Sequence, residues 1–146
     1  MIKFIKTNEM KIKVLKEQEK NQSSKEKIIK HINDNNIVAF DIYNNKEIIG
    51  FAMLKEFDDN SYFLWNYAID YKYQNKGLGT KSLKELINFM IKEYKMKIMT
   101  TTYTYGNNNA KHIYEKVGFK KIDEIVQIVE PSKDEVRVII MEIKND

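Results

Sequence analysis

The chain contains no cysteine, one proline and five glycines among its 146 residues. The absence of cysteine excludes disulfide bridges, thiolate metal sites and a cysteine nucleophile. The two histidines, His31 and His112, are far apart in the sequence and lack the spacing of a zinc site, so we predict that no metal is bound. Because glycine is scarce, a segment that holds two of them close together is informative.

The chain also lacks a long apolar run and a strong excess of one charge. No uncharged segment reaches the roughly 18 residues of a membrane span. The segment from Met1 to Lys6 carries charges within its apolar residues and has no cleavage site for a signal peptide. We therefore predict a cytoplasmic protein with no membrane partner. The net charge of +4 is small, and the lysines are spread along the chain, which favours ordinary solubility over nucleic-acid binding.

The size and composition fit one compact domain over residues 1–146. Hydrophobic residues make up 42% of the chain, which is enough for a core, and no repeat or low-complexity tract interrupts it. Hydrophobic periodicity predicts seven strands and about four helices. The predicted strands are 2–6, 37–43, 47–56, 62–70, 97–104, 120–129 and 135–143. The predicted helices are 8–22, a helix through 26–32 capped by Ser23 or Ser24, 77–94 and a short helix through 110–117.

This order of elements predicts an α/β fold with a mixed sheet. The strand, helix and strand between 62 and 104 predict a parallel pair joined by a right-handed crossover. The turns at Asn44-Asn45 and at 56–60 predict antiparallel hairpins. The expected architecture is therefore a mostly antiparallel sheet of six or seven strands with helices packed on it.

The segment 73–80 joins a predicted strand to the strongest predicted helix and contains Gly77 and Gly79. Glycines let a ligand approach the backbone closely, and N–H groups at a helix N-terminus favour anions. Lys76 adds a positive charge, so the segment has what a diphosphate requires. A dinucleotide-binding G-x-G-x-x-G pattern fails because residue 82 is Ser, and a P-loop pattern is absent. Taken alone, the segment is almost as consistent with a tight turn that binds no ligand as with a diphosphate site.

A second pattern follows about 30 residues later. The first pattern, Q-x-x-G-x-G, begins at Gln74, and the second, N-x-x-A-x-x-x-Y-x-x-x-G-F, runs from Asn107 to Phe119. In this order and at this spacing, the two resemble the GNAT acetyltransferase family, and the resemblance extends from about Ile48 to Phe119. It implies the GNAT fold, in which acetyl-CoA binds as a co-substrate where two central parallel strands splay apart in a V.

The resemblance also implies a role for individual residues. Backbone groups of Tyr67 and Ile69 would pair with the pantetheine arm of acetyl-CoA as another strand would. Asn107 would touch the pantetheine or hold the loop that follows it. Tyr114 would lie against the cofactor and act as the general acid. The pyrophosphate would be held by the backbone N–H groups of Gln74, Asn75, Lys76, Gly77, Leu78, Gly79 and Thr80.

The chemistry of acetyl transfer is consistent with these roles. When an amine attacks the thioester, the thiolate of CoA must leave, and a phenol within hydrogen-bonding reach can protonate it. The spacing of Tyr114 on its helix would fit a buried core residue equally well. The amine must also lose a proton, because an alkylammonium group has a pKa near 10.4.

The group that removes this proton is left open by the sequence. The chain resembles polyamine acetyltransferases at 50–53 and at Tyr73-Gln74, but those proteins carry acidic residues at about the positions where Trp65 and Asn66 stand here. We predict that Asn66 positions a water molecule or the amine, with Tyr67 and Tyr103 as alternatives. Trp65 is interpreted either as a core residue or as a wall of the acceptor pocket.

The prediction is therefore an N-acetyltransferase that transfers acetyl directly to a primary amine of a small molecule. A polyamine-like acceptor comes first, an aminoglycoside second, and a peptide N-terminus or lysine third. The alternative is a non-catalytic sensor of acyl-CoA. Glu130, Asp134 and Glu135 flank the last loop and could attract a cationic amine, although a solvated turn is the simpler interpretation. Similar proteins are often homodimers, so the resemblance is compatible with a homodimer.

Overall fold

A computed structural model describes residues 1–14 and 25–145 of the chain. Over these residues it contains seven strands, three α-helices and one short 3₁₀ turn. In chain order they are β1 (Ile2–Lys6), α1 (Lys25–His31), β2 (Ile37–Asn44), β3 (Glu47–Asp58), β4 (Ser61–Ile69), the 3₁₀ turn (Tyr71–Tyr73), α2 (Leu78–Tyr94), β5 (Ile98–Thr104), α3 (Asn108–Val117), β6 (Lys120–Val129) and β7 (Asp134–Lys144).

The seven strands form one sheet in the order β1-β2-β3-β4-β5-β7-β6. The pair β4–β5 is parallel and every other neighbouring pair is antiparallel. The connection between β4 and β5 contains α2, as a parallel crossover requires. The prediction of a mixed, mostly antiparallel sheet with a central parallel pair is confirmed. The prediction of about four helices exceeds the three that these residues contain.

Helix α2 packs on one face of the sheet through a single apolar stripe. Leu83, Leu86 and Met90 recur at the spacing of a helix face and are fully buried against Phe40 and Leu54 of the sheet. Burial of each such side chain contributes roughly 1.5–3 kcal/mol. Within the described ranges, no helix is both long and apolar enough to span a membrane.

The opposite face of the sheet is covered by α1 and by the N-terminal segment. Ile12 and Ile28 are buried there against Phe51, Met53 and Ala68 of the two central strands β3 and β4. The sheet therefore has two separate apolar clusters, one on the α2 side and one on the α1 side.

The prediction of a helix at 8–22 is wrong over residues 8–14, which are not helical. Met10, Ile12 and Val14 all pack against the α1-side cluster. Their spacing of two is that of an extended chain with one face buried, and not the 3.6 spacing of a helix. The remainder of this predicted helix and the two serines expected to cap α1 lie outside the described residues.

Hydrogen bonds and one ion pair hold this extended segment on the sheet. The Lys13 N–H donates to Asp70 Oδ2 at 3.2 Å, and the Lys13 carbonyl accepts from Tyr71 N at 2.9 Å. Lys11 Nζ lies 2.6 Å from Asp41 Oδ2, and this hydrogen bond raises the pKa of Lys11. Asp41 is 2% exposed, and its Oδ1 has no hydrogen-bond partner among the described residues. Lys11 therefore compensates a carboxylate that is costly to bury.

We predict that Lys11→Met lowers the free energy of unfolding by about 1–3 kcal/mol, because it leaves the Asp41 charge buried without its partner. The double variant Lys11→Met/Asp41→Leu should recover most of this loss, since it removes both charges. Lys13→Met is the matched control, because Lys13 holds the sheet through its backbone. Urea unfolding measures all three variants. An equal loss in Lys11→Met and Lys13→Met would contradict the prediction.

Candidate active site

The two central parallel strands separate after four paired positions. β4 and β5 pair from Ser61 with Ile98 to Leu64 with Thr101. Beyond this point β4 continues along β3 as far as Ile69, whereas β5 continues along β7. A V-shaped opening results at the carboxyl ends of the parallel strands, which is where open α/β sheets bind ligands.

A β-bulge in β4 lies at the apex of this opening. Leu64 pairs with Leu54 on β3, but Asn66 pairs with Met53, so Trp65 is an extra residue in β4. A bulge bends its strand and strengthens the local twist. The outer half of β4 is therefore turned away from β5 at the position where their pairing ends.

The bulge also sets which backbone groups of β4 face the opening. Asp70 N donates to Ile49 O on β3 at 2.7 Å. Backbone groups alternate in direction along a strand, so those of Ile69 and Tyr67 face the opening instead. Gln74 Nε2 donates to the Ile69 carbonyl at 2.9 Å, which agrees with this direction. A ligand at this edge would meet the Ile69 N–H, whereas the Ile69 carbonyl already accepts from Gln74.

The glycine-containing loop turns sharply between β4 and α2. The Asp70 carboxylate accepts from Lys72 N at 3.0 Å and starts the turn. Asn75 and Gly77 have φ values of 62° and 76°, in the left-handed region, and Gly77 is the N-cap residue of α2. The first N–H groups of a helix have no partner within it and lie at the positive end of its dipole. This loop therefore presents backbone donors suited to an anion.

At Gly79 the first turn of α2 packs against both β4 and α3. A Cβ at Gly79 would lie 3.5 Å from Ile113 Cδ1 of α3 and 3.7 Å from Ile69 Cγ1 of β4. The Tyr67 hydroxyl donates to the Gly79 carbonyl at 2.6 Å. The N-terminus of α2 is thereby fixed against the edge of the opening.

Tyr114 of α3 lies at the apex of the opening, on the α2 side of the sheet. Burial raises the pKa of the Tyr114 hydroxyl, and a hydrogen-bonding interaction with Thr101 partly opposes this shift. The Thr101 hydroxyl donates to the Leu64 carbonyl at 3.2 Å, at the last paired position of β4 and β5. Burial chiefly raises the pKa of Tyr67, with a smaller contribution from the nearby Tyr114. Two protonated phenols therefore lie close together here.

Caps at both ends of α3 hold Tyr114 in place. Asn107 Oδ1 accepts from Ala110 N at 3.2 Å and caps the start of the helix. Gly118 ends it with a φ of 119°, and Phe119 N donates to the Tyr114 carbonyl at 2.9 Å. Glycine suits this left-handed position, which a side chain would strain. The Asn107 oxygen holds the helix, and a contact of Asn107 with pantetheine stays a prediction.

Asn66 lies in β4 next to the bulge and is 2% exposed. Neither its side-chain oxygen nor its side-chain nitrogen has a hydrogen-bond partner among the described residues. Because side chains alternate along a strand, Asn66 shares the α1-side face with Ala68 and not the face of Tyr67. A buried amide without partners is costly, so this position suits a polar ligand.

Trp65 lies half-buried at the edge of the α1-side cluster, and its role as a wall of the acceptor pocket stays a prediction. Its ring centroid is 5.2 Å from that of His31, and Lys55 Nζ lies 5.9 Å from it. His31 in turn contacts Asp34 Oδ2 at 3.0 Å through Nδ1. Trp65 and Asn66 thus lie near each other in β4, with the buried Asn66 amide on the side of the strand opposite to Tyr114.

The remaining candidate residues lie elsewhere. Glu130, Asp134 and Glu135 are exposed at the turn between β6 and β7, where Lys133 pairs with Glu130 at 2.9 Å. In the part of the chain that the structure describes, no three histidine or acidic residues are grouped as a metal site.

The sequence analysis missed Thr101 as a residue of the site. It could have been noticed as a polar residue at a position of β5 where the alternation of side chains predicts burial.

Comparison with known proteins finds one family model and several relatives that match the chain. The model of the acetyltransferase (GNAT) family matches residues 7–119. Spermine/spermidine N(1)-acetyltransferase from Bacillus subtilis is 34% identical over 86 residues, covering 54% of this chain and 57% of that protein. The ribosomal protein bS18-alanine N-acetyltransferase from Haemophilus influenzae is 37% identical over 79 residues, covering 54% and 52%. The chain therefore spans a little over half the length of the curated relatives it matches.

A solved structure extends this likeness over nearly the whole chain. A GNAT family acetyltransferase from Elizabethkingia anophelis, with acetyl-CoA bound, superimposes with a TM-score of 0.73 at 20% identity. The alignment covers 99% of this chain and 98% of that one. At this identity the likeness concerns the fold.

We predict that Gly79→Ala and Gly79→Val differ sharply in their affinity for coenzyme A. The alanine Cβ would make ordinary contacts, so the dissociation constant should change by less than about threefold. The valine methyl groups would push the first turn of α2 from β4 and α3, lowering stability by about 1–3 kcal/mol and affinity by about tenfold or more. Titration calorimetry and thermal unfolding measure both effects. Lys84→Val, at an exposed position of the same helix, controls for the β-branched residue, and equal affinities of the two Gly79 variants would refute the prediction.

Proposed function

Because the chain belongs to the GNAT acetyltransferase family, we propose that it transfers an acetyl group from acetyl-CoA to a primary amine of a small molecule. The observation that carries this proposal is the position of the half-buried Tyr114, whose hydroxyl interacts with Thr101 at the apex of the opening between β4 and β5. Both substrates would be bound together, with acetyl-CoA on the α2 side and the amine reaching it from the α1 side.

The residues around the opening fit acetyl-CoA. The edge of β4 at Tyr67 and Ile69 offers backbone groups to the pantetheine amides. The loop from Gln74 to Thr80 offers N–H groups at a helix N-terminus to the pyrophosphate, and Lys76 adds charge. When bound, acetyl-CoA supplies the thioester that is attacked. The residues of this chain orient it and provide the proton that its sulfur requires.

Tyr114 is proposed as the source of that proton. Its raised pKa keeps the hydroxyl protonated at neutral pH, as a general acid requires. The hydroxyl would give its proton to the leaving thiolate. A donor that is partly shielded from water also interacts more strongly with a developing charge than one in bulk water.

Asn66 is proposed to position the amine or a water molecule on the other side of β4. Its oxygen can accept from an amine N–H, and its nitrogen can donate to a water. An amide does not take up a proton at neutral pH, so Asn66 would orient the amine and leave its proton to solvent. The rate is then expected to increase with pH as the acceptor loses its proton.

The acceptor class is proposed from the relatives. The name of the Bacillus subtilis relative gives spermine and spermidine as its acceptors, which supports a polyamine-like amine as the first candidate. The name of the Haemophilus influenzae relative gives an alanine of a ribosomal protein, which supports a peptide α-amine as the second. Release of CoA with a panel of polyamines, aminoglycosides, amino acids and short peptides distinguishes these classes. A thiol reagent can follow the release, because the chain contains no cysteine.

We predict that Tyr114→Phe lowers kcat by about 10²–10⁴ while the dissociation constant for acetyl-CoA stays nearly unchanged, since the variant loses only the proton donor. Tyr94→Phe is the matched control, because Tyr94 packs near Phe40 and Tyr62 at the far end of α2. In the parent protein, kcat should show no decline below about pH 10, since the pKa of Tyr114 is raised. Unchanged turnover in Tyr114→Phe would remove this residue as the acid. Acetyl-CoA binding without turnover on any amine would favour a sensor.

We also predict that Asn66→Leu raises the free energy of unfolding by about 1–2 kcal/mol, because it removes a buried amide without partners. The same variant should lower kcat/KM for the best amine by about tenfold or more, because the acceptor loses its contact. Thr101→Val is the contrasting variant. The Thr101 hydroxyl donates to the Leu64 carbonyl, so removing this hydroxyl should lower the free energy of unfolding. Urea unfolding and steady-state kinetics measure these effects. A loss of stability in Asn66→Leu would contradict an amide without partners, and an unchanged kcat/KM would contradict a role of Asn66 in positioning the amine.

A further inference from the structure

Trp65 is the only tryptophan in the chain, and the ammonium group of Lys55 lies over its ring. Lys55 Nζ is 5.9 Å from the ring centroid, which is within the distance of a cation–π contact. Lys55 is exposed, and within residues 1–14 and 25–145 it makes no ion pair. An ammonium group therefore lies at the Trp65 ring although no carboxylate holds it there.

The bulge in β4 places Trp65 beside Asn66 on one face of the sheet. Leu64 and Tyr67 both pack with the α2-side cluster. Between them, Trp65 packs against the α1-side cluster, and Asn66 pairs with Met53 of that cluster. Two consecutive residues therefore share the α1 side, although a regular strand would place them on opposite faces. Their α-carbons are about 3.8 Å apart, so a short alkyl chain suffices to join a group at the Asn66 amide to a second group at the Trp65 ring.

We propose that the Trp65 ring binds the second ammonium group of a diamine or polyamine acceptor whose reacting amine lies at Asn66. This inference rests on the proposed function and assigns a residue to the charged end of the acceptor. The reacting amine must lose its proton before it attacks. The second amine keeps its charge at neutral pH, because the pKa of an alkylammonium group is about 10.4. Tryptophan is the aromatic residue that attracts such a charge most strongly.

Lys55 occupies this position in the structure and must leave the ring when the acceptor binds. A contact of this kind at an exposed site is worth only about two- to fivefold in a dissociation constant, so its displacement costs little. The ring of His31 packs on Trp65 at a centroid distance of 5.2 Å, and its Nδ1 lies 3.0 Å from Asp34 Oδ2. The Asp34 carboxylate therefore adds a negative charge to this group of residues, which favours an incoming cation.

The fluorescence of Trp65 measures this binding directly, because no other tryptophan contributes to the signal. Titrations in the presence of CoA, which carries no acetyl group, measure binding without turnover. Putrescine, butylamine and γ-aminobutyrate share a primary amine and a carbon chain of the same length, and they differ at the other end. We expect putrescine to change the fluorescence with a dissociation constant about threefold or more below that of butylamine. γ-Aminobutyrate should bind more weakly than putrescine, because the negative face of the ring repels a carboxylate.

Variants at Trp65 and Lys55 separate a cation site from a packing role. In assays of CoA release, Trp65→Leu should raise KM for putrescine by about three- to tenfold and leave KM for butylamine nearly unchanged, because only the second ammonium group loses a contact. Trp65→Phe keeps a ring, so its KM should lie between those of the parent protein and Trp65→Leu. Lys55→Met should lower KM for putrescine by about twofold or more, since it removes the competing cation. Lys84→Met, at an exposed position of α2, controls for the loss of one positive charge.

The failure of this inference and the failure of the proposed function give different results. An equal rise of both KM values in Trp65→Leu would indicate a packing role and overturn the ring site. Tighter binding of γ-aminobutyrate than of putrescine, lost in Lys55→Met, would also overturn it, because Lys55 would then bind a carboxylate. Amine turnover with equal KM for putrescine and butylamine would support the transferase and reject the ring site. A putrescine-dependent change in Trp65 fluorescence without turnover of any amine would support the ring site and contradict the transferase.

Discussion

The bulge at Trp65 is the constraint on which the rest of the candidate site depends. One extra residue in β4 turns the strand away from β5 after the pair of Leu64 with Thr101. The same extra residue directs the backbone of Tyr67 and Ile69 into the opening and places the Asn66 side chain on the α1 side. Without the bulge, β4 and β5 would continue their ladder, and a ligand would find paired backbone groups there. The bulge thus accounts both for the separation of β4 from β5 and for the unpaired backbone groups along β4.

Two helices complete this opening and place Tyr114, the proposed proton donor, at its apex. The N-terminus of α2 packs against β4 at Gly79, where there is room for a small side chain only, and the Tyr67 hydroxyl donates to the Gly79 carbonyl. The caps at Asn107 and Gly118 hold α3, so Tyr114 faces Thr101 at the apex. Burial favours the neutral phenol, because a phenolate would lose its hydration. The packing that stabilises the fold is therefore also what keeps the proposed acid protonated.

Much of this arrangement was predictable from the sequence, and the exceptions share a physical cause. The stripe of α2 and the glycine cap of α3 depend on residues within a few positions of one another, so local patterns predict them. The path of residues 8–14 depends on Asp41 and Asp70, which lie 30 and 57 residues from their partners Lys11 and Lys13. The bulge depends on a register between β3 and β4 that no local pattern encodes. Long-range pairing therefore decides the features that the sequence leaves open.

Asp70 connects the two sides of the site. One of its carboxylate oxygens accepts from Lys72 N and shapes the loop before α2, and the other accepts from Lys13 N in the N-terminal segment. Lys11, two residues earlier, binds the buried Asp41 on the α1 side. A shift of the N-terminal segment would therefore also move the loop whose N–H groups are proposed to bind the pyrophosphate. In the proposed reaction, acetyl-CoA and the amine must be bound at the same time. The Asp70 carboxylate bonds to both segments, so it keeps the proposed cofactor loop at a constant distance from the proposed acceptor side.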